Sequence, residues 1–180
     1  MGVADHRAPS RRNEGGAGRL MPFYEDIKVG QRGELGSFTF TAELIKKFAA
    51  QFDPQRFHLD EEEGRKSLFG GLTASGWHVA AVCMKLMVAY AQRSGRRAAA
   101  RGDEVAVGGP SPGFRDLRWI KPVLAGDTIT FFSEVESLRA SSTRPEWGIV
   151  QARNTGTNQR GELVFSFLAT GFVPRRNAKP

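Results

Sequence analysis

Apolar positions change their spacing several times along the chain, and each change marks an element. Leu35 to Phe40 mixes Phe and Thr after Gly30 and Gly33, which predicts a strand entered through a turn. Leu44, Ile45, Phe48, Ala49 and Phe52 then recur at helical spacing behind Thr41, a capping residue, with Glu43 near the start and Lys46 and Lys47 on the wet side. Asp53 precedes Pro54, whose ring keeps the residue before it out of the helical region. The helix is therefore expected to stop there, with 53–59 a loop. Asp60 and Glu63 form a capping pattern for a one- or two-turn helix that closes on Arg65 and Lys66.

The stretch from Leu72 to about Arg93 reads differently. Val79, Ala80, Ala81, Val82, Met84, Leu86, Met87, Val88 and Ala89 nearly encircle the helical wheel, the pattern of a buried helix. Ser75 suits its N-cap, and Gly70, Gly71 and Gly76 let backbone approach its start closely. A small, polar stretch from Ser94 to Gly113 reads as a loop. Four strand-like runs follow: Phe114 to Lys121, Asp127 to Ser137, Trp147 to Thr155 and Glu162 to Val173, the last with Leu163, Phe165, Phe167 and Ala169 on one face. Short connections predict an antiparallel meander. The sum is an α+β domain whose antiparallel sheet wraps a long central helix. One curved sheet covers only part of so apolar a helix, so a second copy is expected to cover the rest, in a homodimer or higher homo-oligomer.

Composition narrows the function. The chain has 180 residues, enough for one domain with its own core. Residues 1–20 carry almost no large apolar side chains and are expected to be a disordered basic lead, with the folded domain over 21–174 and a basic tail over 175–180. A single cysteine, Cys83, allows no intrachain disulfide, and no apolar run is long enough to cross a bilayer, so a cytoplasmic protein without membrane contact is expected. The formal charge is +7, with basic residues clustered at Arg7, Arg11, Arg12 and Arg19, at Arg93, Arg96, Arg97 and Arg101, and at Arg175, Arg176 and Lys179. These clusters lack interleaved aromatics and sit in tails and a loop, which disfavours a nucleic-acid partner. Three histidines without a cysteine pair do not make a metal site of ordinary spacing, and no dinucleotide fingerprint is present, so no metal or redox cofactor is expected.

The densest group of chemically capable residues is Phe52-Asp53-Pro54-Gln55-Arg56-Phe57-His58-Leu59-Asp60, followed by Phe69-Gly70-Gly71-Leu72-Thr73-Ala74-Ser75-Gly76-Trp77-His78. An Asp and a His five residues apart, then a Gly-rich turn into a central helix, resembles the MaoC-like dehydratase family of the hot-dog fold, which includes the (R)-specific enoyl-CoA hydratases. Phe114-Arg115-Asp116-Leu117-Arg118-Trp119-Ile120-Lys121-Pro122-Val123 and Gly126-Asp127 extend that resemblance, which covers roughly residues 22–173. One departure stands out: Gln55-Arg56 occupies the place where many members carry Asn-Pro.

The resemblance implies reversible hydration of a trans-2-enoyl thioester of coenzyme A or acyl carrier protein to a (3R)-3-hydroxyacyl thioester. Such chemistry needs one group to take a proton from water and one to deliver a proton to the α-carbon. A carboxylate and an imidazole serve, because histidine ordinarily changes charge near neutrality. Asp53 and His58 are the candidates for that pair. The backbone N–H of Gly76, at a helix N-terminus, is the candidate donor to the thioester oxygen, with Ser75 ordering the site. Ser75 itself reads as a cap, since Thr73-Ala74-Ser75-Gly76-Trp77 lacks the first glycine of a nucleophile elbow. Trp77, His78 and Arg56 are weaker substrate-contacting candidates, and Arg115, Arg118 and Lys121 are candidates for the coenzyme phosphates. A core role for His78 stays open. A hot-dog thioesterase is the enzymatic alternative, and a non-catalytic binder of acyl-CoA or nucleic acid the other.

Overall fold

The computed structural model describes residues 20–176. The basic lead up to residue 19 and the end of the tail from residue 177 lie outside the described residues. A short strand β1 (Leu20–Met21) and a single 3-10 turn at Tyr24–Asp26 lead into β2 (Arg32–Thr39), followed by α1 (Ala42–Phe52). Thr41 caps α1 by accepting the Leu44 N–H, and Asp53 ends it by leaving the helical region, at φ −153° and ψ 68°, while its own N–H still reaches the Ala49 carbonyl.

Residues 53–59 are not the plain loop the sequence suggests. Arg56–Leu59 form a one-turn helix, α2, starting from an extended Gln55. Pro54 restrains only the residue before it, while the residues after Gln55 are compatible with a helical turn that buries His58 and half-buries Phe57. The next helix, α3 (Glu61–Lys66), is capped as expected, with Asp60 accepting from the N–H groups of Glu62 and Glu63.

The central helix α4 spans Gly76–Ala100 and begins at the Ser75 cap, as the sequence suggests. Residues 72–75 stay extended because backbone bonds hold them to a later segment: Ala74 N–H to the Val123 carbonyl and Ala125 N–H to that of Leu72. At its other end α4 runs past Arg93, through residues read as loop. Alanine and arginine favour helix there, and Gly95 is accommodated because β1 crosses against it, where any Cβ would meet Leu20.

The remaining strands are β3 (Ala106–Val107), paired with β1, and β4 (Gly113–Trp119), β5 (Thr128–Ala140), β6 (Trp147–Asn158) and β7 (Leu163–Pro174). With β2 these four build one antiparallel sheet in the order β2-β5-β6-β7-β4. Only β5, β6 and β7 form a meander. β4 crosses to the far edge and pairs with β7, with a bulge between Arg115 and Arg118 and Asp116 at φ 54°. The chain must then return across the sheet end to start β5, and this return, residues 120–127, lies beside the start of α4.

The core sits between the sheet and α4: Val79, Val82 and Cys83 of the helix meet Leu35, Phe40, Ile129, Phe131, Phe165 and Phe167. Phe165 and Phe167 share this inner face as the alternation predicts, whereas Leu163 at the start of β7 is exposed. The opposite side of α4 is open. Trp77, Met84 and Val88 form an exposed apolar row, so the sheet of one chain covers only part of the helix. Among the described residues no helix is long and apolar enough to cross a membrane.

Candidate active site

Three helix ends converge on one cavity. Asp53 lies at the end of α1, His58 in α2, and Ser75 and Gly76 at the start of α4. The cavity measures about 460 Å³ and its lining includes Asp53, His58, Gly76, Trp77, Trp119 and Val123. The return segment closes one side, held by the Ile120 N–H on the Val164 carbonyl and by its bonds to residues 72–74.

His58 is buried, and its Nδ1 lies 2.6 Å from the Thr73 carbonyl oxygen. A carbonyl only accepts, so Nδ1 carries the proton and donates. In the neutral ring Nε2 is then the free acceptor, and it faces Asp53 Oδ2 at 3.4 Å. The Asp53 carboxylate is itself fixed at both oxygens: Ser75 Oγ donates to Oδ2 at 2.6 Å and Gln55 Nε2 to Oδ1 at 2.8 Å. Partial burial pushes the Asp53 pKa up, but the bonds from Ser75 and Gln55, with the attraction of the His58 ring whenever that ring is protonated, outweigh it and hold the carboxyl below its ordinary value. Ser75 Oγ also accepts the Trp77 N–H at 3.2 Å, so one hydroxyl caps α4 and anchors Asp53.

The other sequence candidates divide. Gly76 occupies the first helical position of α4 and lines the cavity, where its N–H has no intrahelical acceptor. Trp77 and Lys121 also line it, the latter paired with Glu162 at 2.6 Å. Arg56 is exposed and outside the lining, as is Arg118, and Arg115 pairs loosely with its neighbour Asp116 at 3.8 Å away from the cavity. His78 lies in the core, stacked on Phe48 at 4.6 Å and edge-on to Phe40. Among the described residues no three of His, Cys, Asp and Glu converge as metal ligands would, and burial pushes the Cys83 thiol up to about 12.

Gln55, the Thr73 carbonyl and Trp119 are site groups that sequence reasoning missed. Gln55 carried a signal, since an amide two residues from a carboxylate in a turn can reach it. The Thr73 carbonyl carried none, because main-chain acceptors look alike in sequence.

Gly64 guards this arrangement from outside the cavity. A Cβ there would lie 2.7 Å from the Gly71 carbonyl group and the Leu72 nitrogen, and backbone cannot move aside as a flexible side chain can. Gly64→Ala is expected to cost about 2 kcal/mol. It should also lower activity by displacing Thr73 from His58. Urea unfolding and steady-state turnover on the same variant check this, and unchanged stability would show that the segment yields freely.

A five-stranded antiparallel sheet wrapped on one long helix is the hot-dog fold, here with a carboxylate and an imidazole at the helix start. Residues 28–156 match the family described as MaoC like domain, and the chain belongs to that family of MaoC-like dehydratases. It is 30% identical over 141 residues to the uncharacterized protein YdeM of Bacillus subtilis, covering 78% of this chain and 91% of the relative. Over 65 residues it is 38% identical to a mesaconyl-CoA hydratase of Cereibacter sphaeroides, a match that spans 36% of this chain and only 19% of that protein. Among solved structures, a MaoC-like dehydratase from Rhodospirillum rubrum superimposes with a TM-score of 0.71 at 38% identity, over 87% of this chain and 99% of that one.

Proposed function

We propose that the protein is an acyl thioester hydratase or dehydratase that adds water reversibly to a trans-2-enoyl thioester, giving a (3R)-3-hydroxyacyl thioester, with Asp53 and His58 as the proton-transferring pair. The observation that carries this reading is the facing of two acceptors, Asp53 Oδ2 and His58 Nε2, 3.4 Å apart in a mostly apolar cavity. A water donating one proton to each is held by both, with its lone pairs turned toward the substrate.

In the forward direction the water oxygen bonds to the β-carbon while the pair accepts one of its protons. The electrons of the C=C bond move toward the thioester oxygen, where the Gly76 N–H at the α4 N-terminus stabilises the negative charge. A proton returned from the pair to the α-carbon completes the addition and restores both side chains. The low Asp53 pKa suits this role, since the carboxyl is ionised and accepts when water binds. The substrate is a thioester of coenzyme A or acyl carrier protein, and no further cofactor enters the scheme. The exposed row of Trp77, Met84 and Val88 supports a homodimer in which a second copy covers α4.

Incubation with crotonyl-CoA and longer trans-2-enoyl-CoA thioesters tests the reading by loss of the conjugated enoyl absorbance. A (3R)-hydroxy product without free thiol is expected. Free thiol in its place would identify a thioesterase, and inactivity on the whole series would overturn catalysis on this class.

A further inference from the structure

Two aromatic pairs flank the Asp53–His58 cavity. Phe57 and Phe69 meet edge-on at 5.2 Å, with Phe57 also against the His58 ring. Trp77 and Trp119 meet edge-on at 5.3 Å. The tryptophans come from different elements, the first turn of α4 and the end of β4, yet both line the cavity while remaining 54% and 46% exposed. Half-exposed indoles facing a cavity are a common way to meet an apolar ligand.

Gly76 makes the seat for Trp119. A Cβ at position 76 would come within 2.6 Å of the indole Nε1 and 2.7 Å of Cδ2, so only glycine lets the ring lie against the first turn of α4. The indole therefore sits directly beside the Gly76 backbone and one residue from Ser75, which holds Asp53. A ligand that reaches the N-terminus of α4 must touch it.

The charge of the lining points to what that ligand is. Apart from Asp53 and His58, the only charged side chain in the described lining is Lys121, and Glu162 already engages its ammonium at 2.6 Å. Arg56, Arg115 and Arg118 are outside the lining. A free carboxylate on the acyl group would lose its hydration against aromatic faces, whose π-density is itself negative, with no uncommitted cation in this chain's described lining to meet it.

We propose that Trp119 is a substrate-contacting, specificity-determining residue, the wall that accepts an uncharged apolar acyl thioester and refuses one whose acyl group ends in a carboxylate. The assignment rests on the acyl thioester reading above and names the substrate class within it.

The 180-residue chain carries three tryptophans, and Trp147, packed near Phe172, supplies a constant fluorescence background. Butyryl-CoA is saturated and is not hydrated, so it reports binding alone. In the wild type it is expected to quench fluorescence saturably, and in Trp119→Phe to lose about half of that quenching, the remainder coming from Trp77 in the same lining, while affinity stays within about threefold. Trp119→Ala should raise KM for crotonyl-CoA about tenfold with kcat little changed. Succinyl-CoA should bind the wild type about 100-fold more weakly than butyryl-CoA. Thermal melts check each variant's fold, and Trp119→Phe keeps the test intact should the alanine variant not fold. Full quenching in Trp119→Phe, an unchanged KM in a folded Trp119→Ala, or equal binding of succinyl-CoA would each overturn the proposal while leaving hydration by the wild type untouched. Quenching by butyryl-CoA that depends on Trp119, with no hydration of any enoyl thioester, would keep the contact and overturn the hydratase reading.

Discussion

Asp53→Asn is expected to lower turnover of an enoyl thioester about a thousandfold, within the usual range for removing a general acid–base group, while the protein still folds. The amide keeps the shape of the carboxylate and can still accept from Ser75 Oγ, which now bonds Oδ2 at 2.6 Å. It lacks the charge that makes Oδ2 a strong acceptor opposite His58 Nε2 at 3.4 Å. His58→Ala should cost a similar factor in rate. It should also destabilise by about 1–3 kcal/mol, because the Thr73 carbonyl loses its buried donor. The pair acts on one water, so the double variant is expected to be no slower than the worse single variant by more than a few-fold, a marked departure from additivity. Single-turnover rates with circular dichroism on all three variants measure this. Folded single variants with full turnover would remove both residues from the mechanism, and fully additive losses would show that they act at separate steps.

How much of this site was legible in sequence depends on how local each feature is. Thr41, Asp60 and Ser75 each cap through a hydrogen bond reaching two or three residues along the chain, so residue type and spacing were enough. Asp53 as a helix stop followed from Pro54 in the same way. The facing of Asp53 and His58 was legible only through the resemblance, because the α2 turn that aims the imidazole was hidden under a loop pattern. Trp119 and the 120–123 wall were beyond local reasoning. They reach the start of α4 because β4 pairs with β7 at the far edge, and no residue in β4 announces which strand it will join. The directions of Arg115 and Arg118 follow from a bulge with Asp116 at positive φ, again set by strand pairing. Arg176 read as part of a solvated tail, yet it meets Asp26 at 2.8 Å and Glu104 at 2.7 Å, acids that lie 150 and 72 positions away in the chain.

His78 carries the second large expectation, and it concerns pH. Its ring is 7% exposed, stacked on Phe48 and edge-on to Phe38 and Phe40, and its Nδ1 has no hydrogen-bond partner. Phenyl rings offer a proton nothing to replace water, so burial pushes the His78 pKa down to about 4. The unfolded chain, where histidine titrates near its ordinary value of about 6.5, therefore binds more protons than the folded one between those two points. Stability contributed by the neutral ring is complete above about pH 6.5 and falls as the pH drops toward 4. At about 1.4 kcal/mol per unit of pKa difference, the loss across that window is about 3 kcal/mol. His78→Phe removes the titration and keeps an aromatic ring among aromatic neighbours, so its stability should be flatter over the same range and should exceed that of the wild type near pH 4. Urea unfolding of both proteins at half-unit intervals from pH 7 to 4 measures the difference directly. Parallel curves would mean that the ring finds a partner when protonated. Asp53, whose pKa is lowered on folding, contributes in the same direction but loses its stabilisation as the pH falls below its unfolded value, lower on the scale. The difference between the two proteins in the upper part of the window therefore isolates His78, and it separates the histidine that holds the core from the one proposed to move protons.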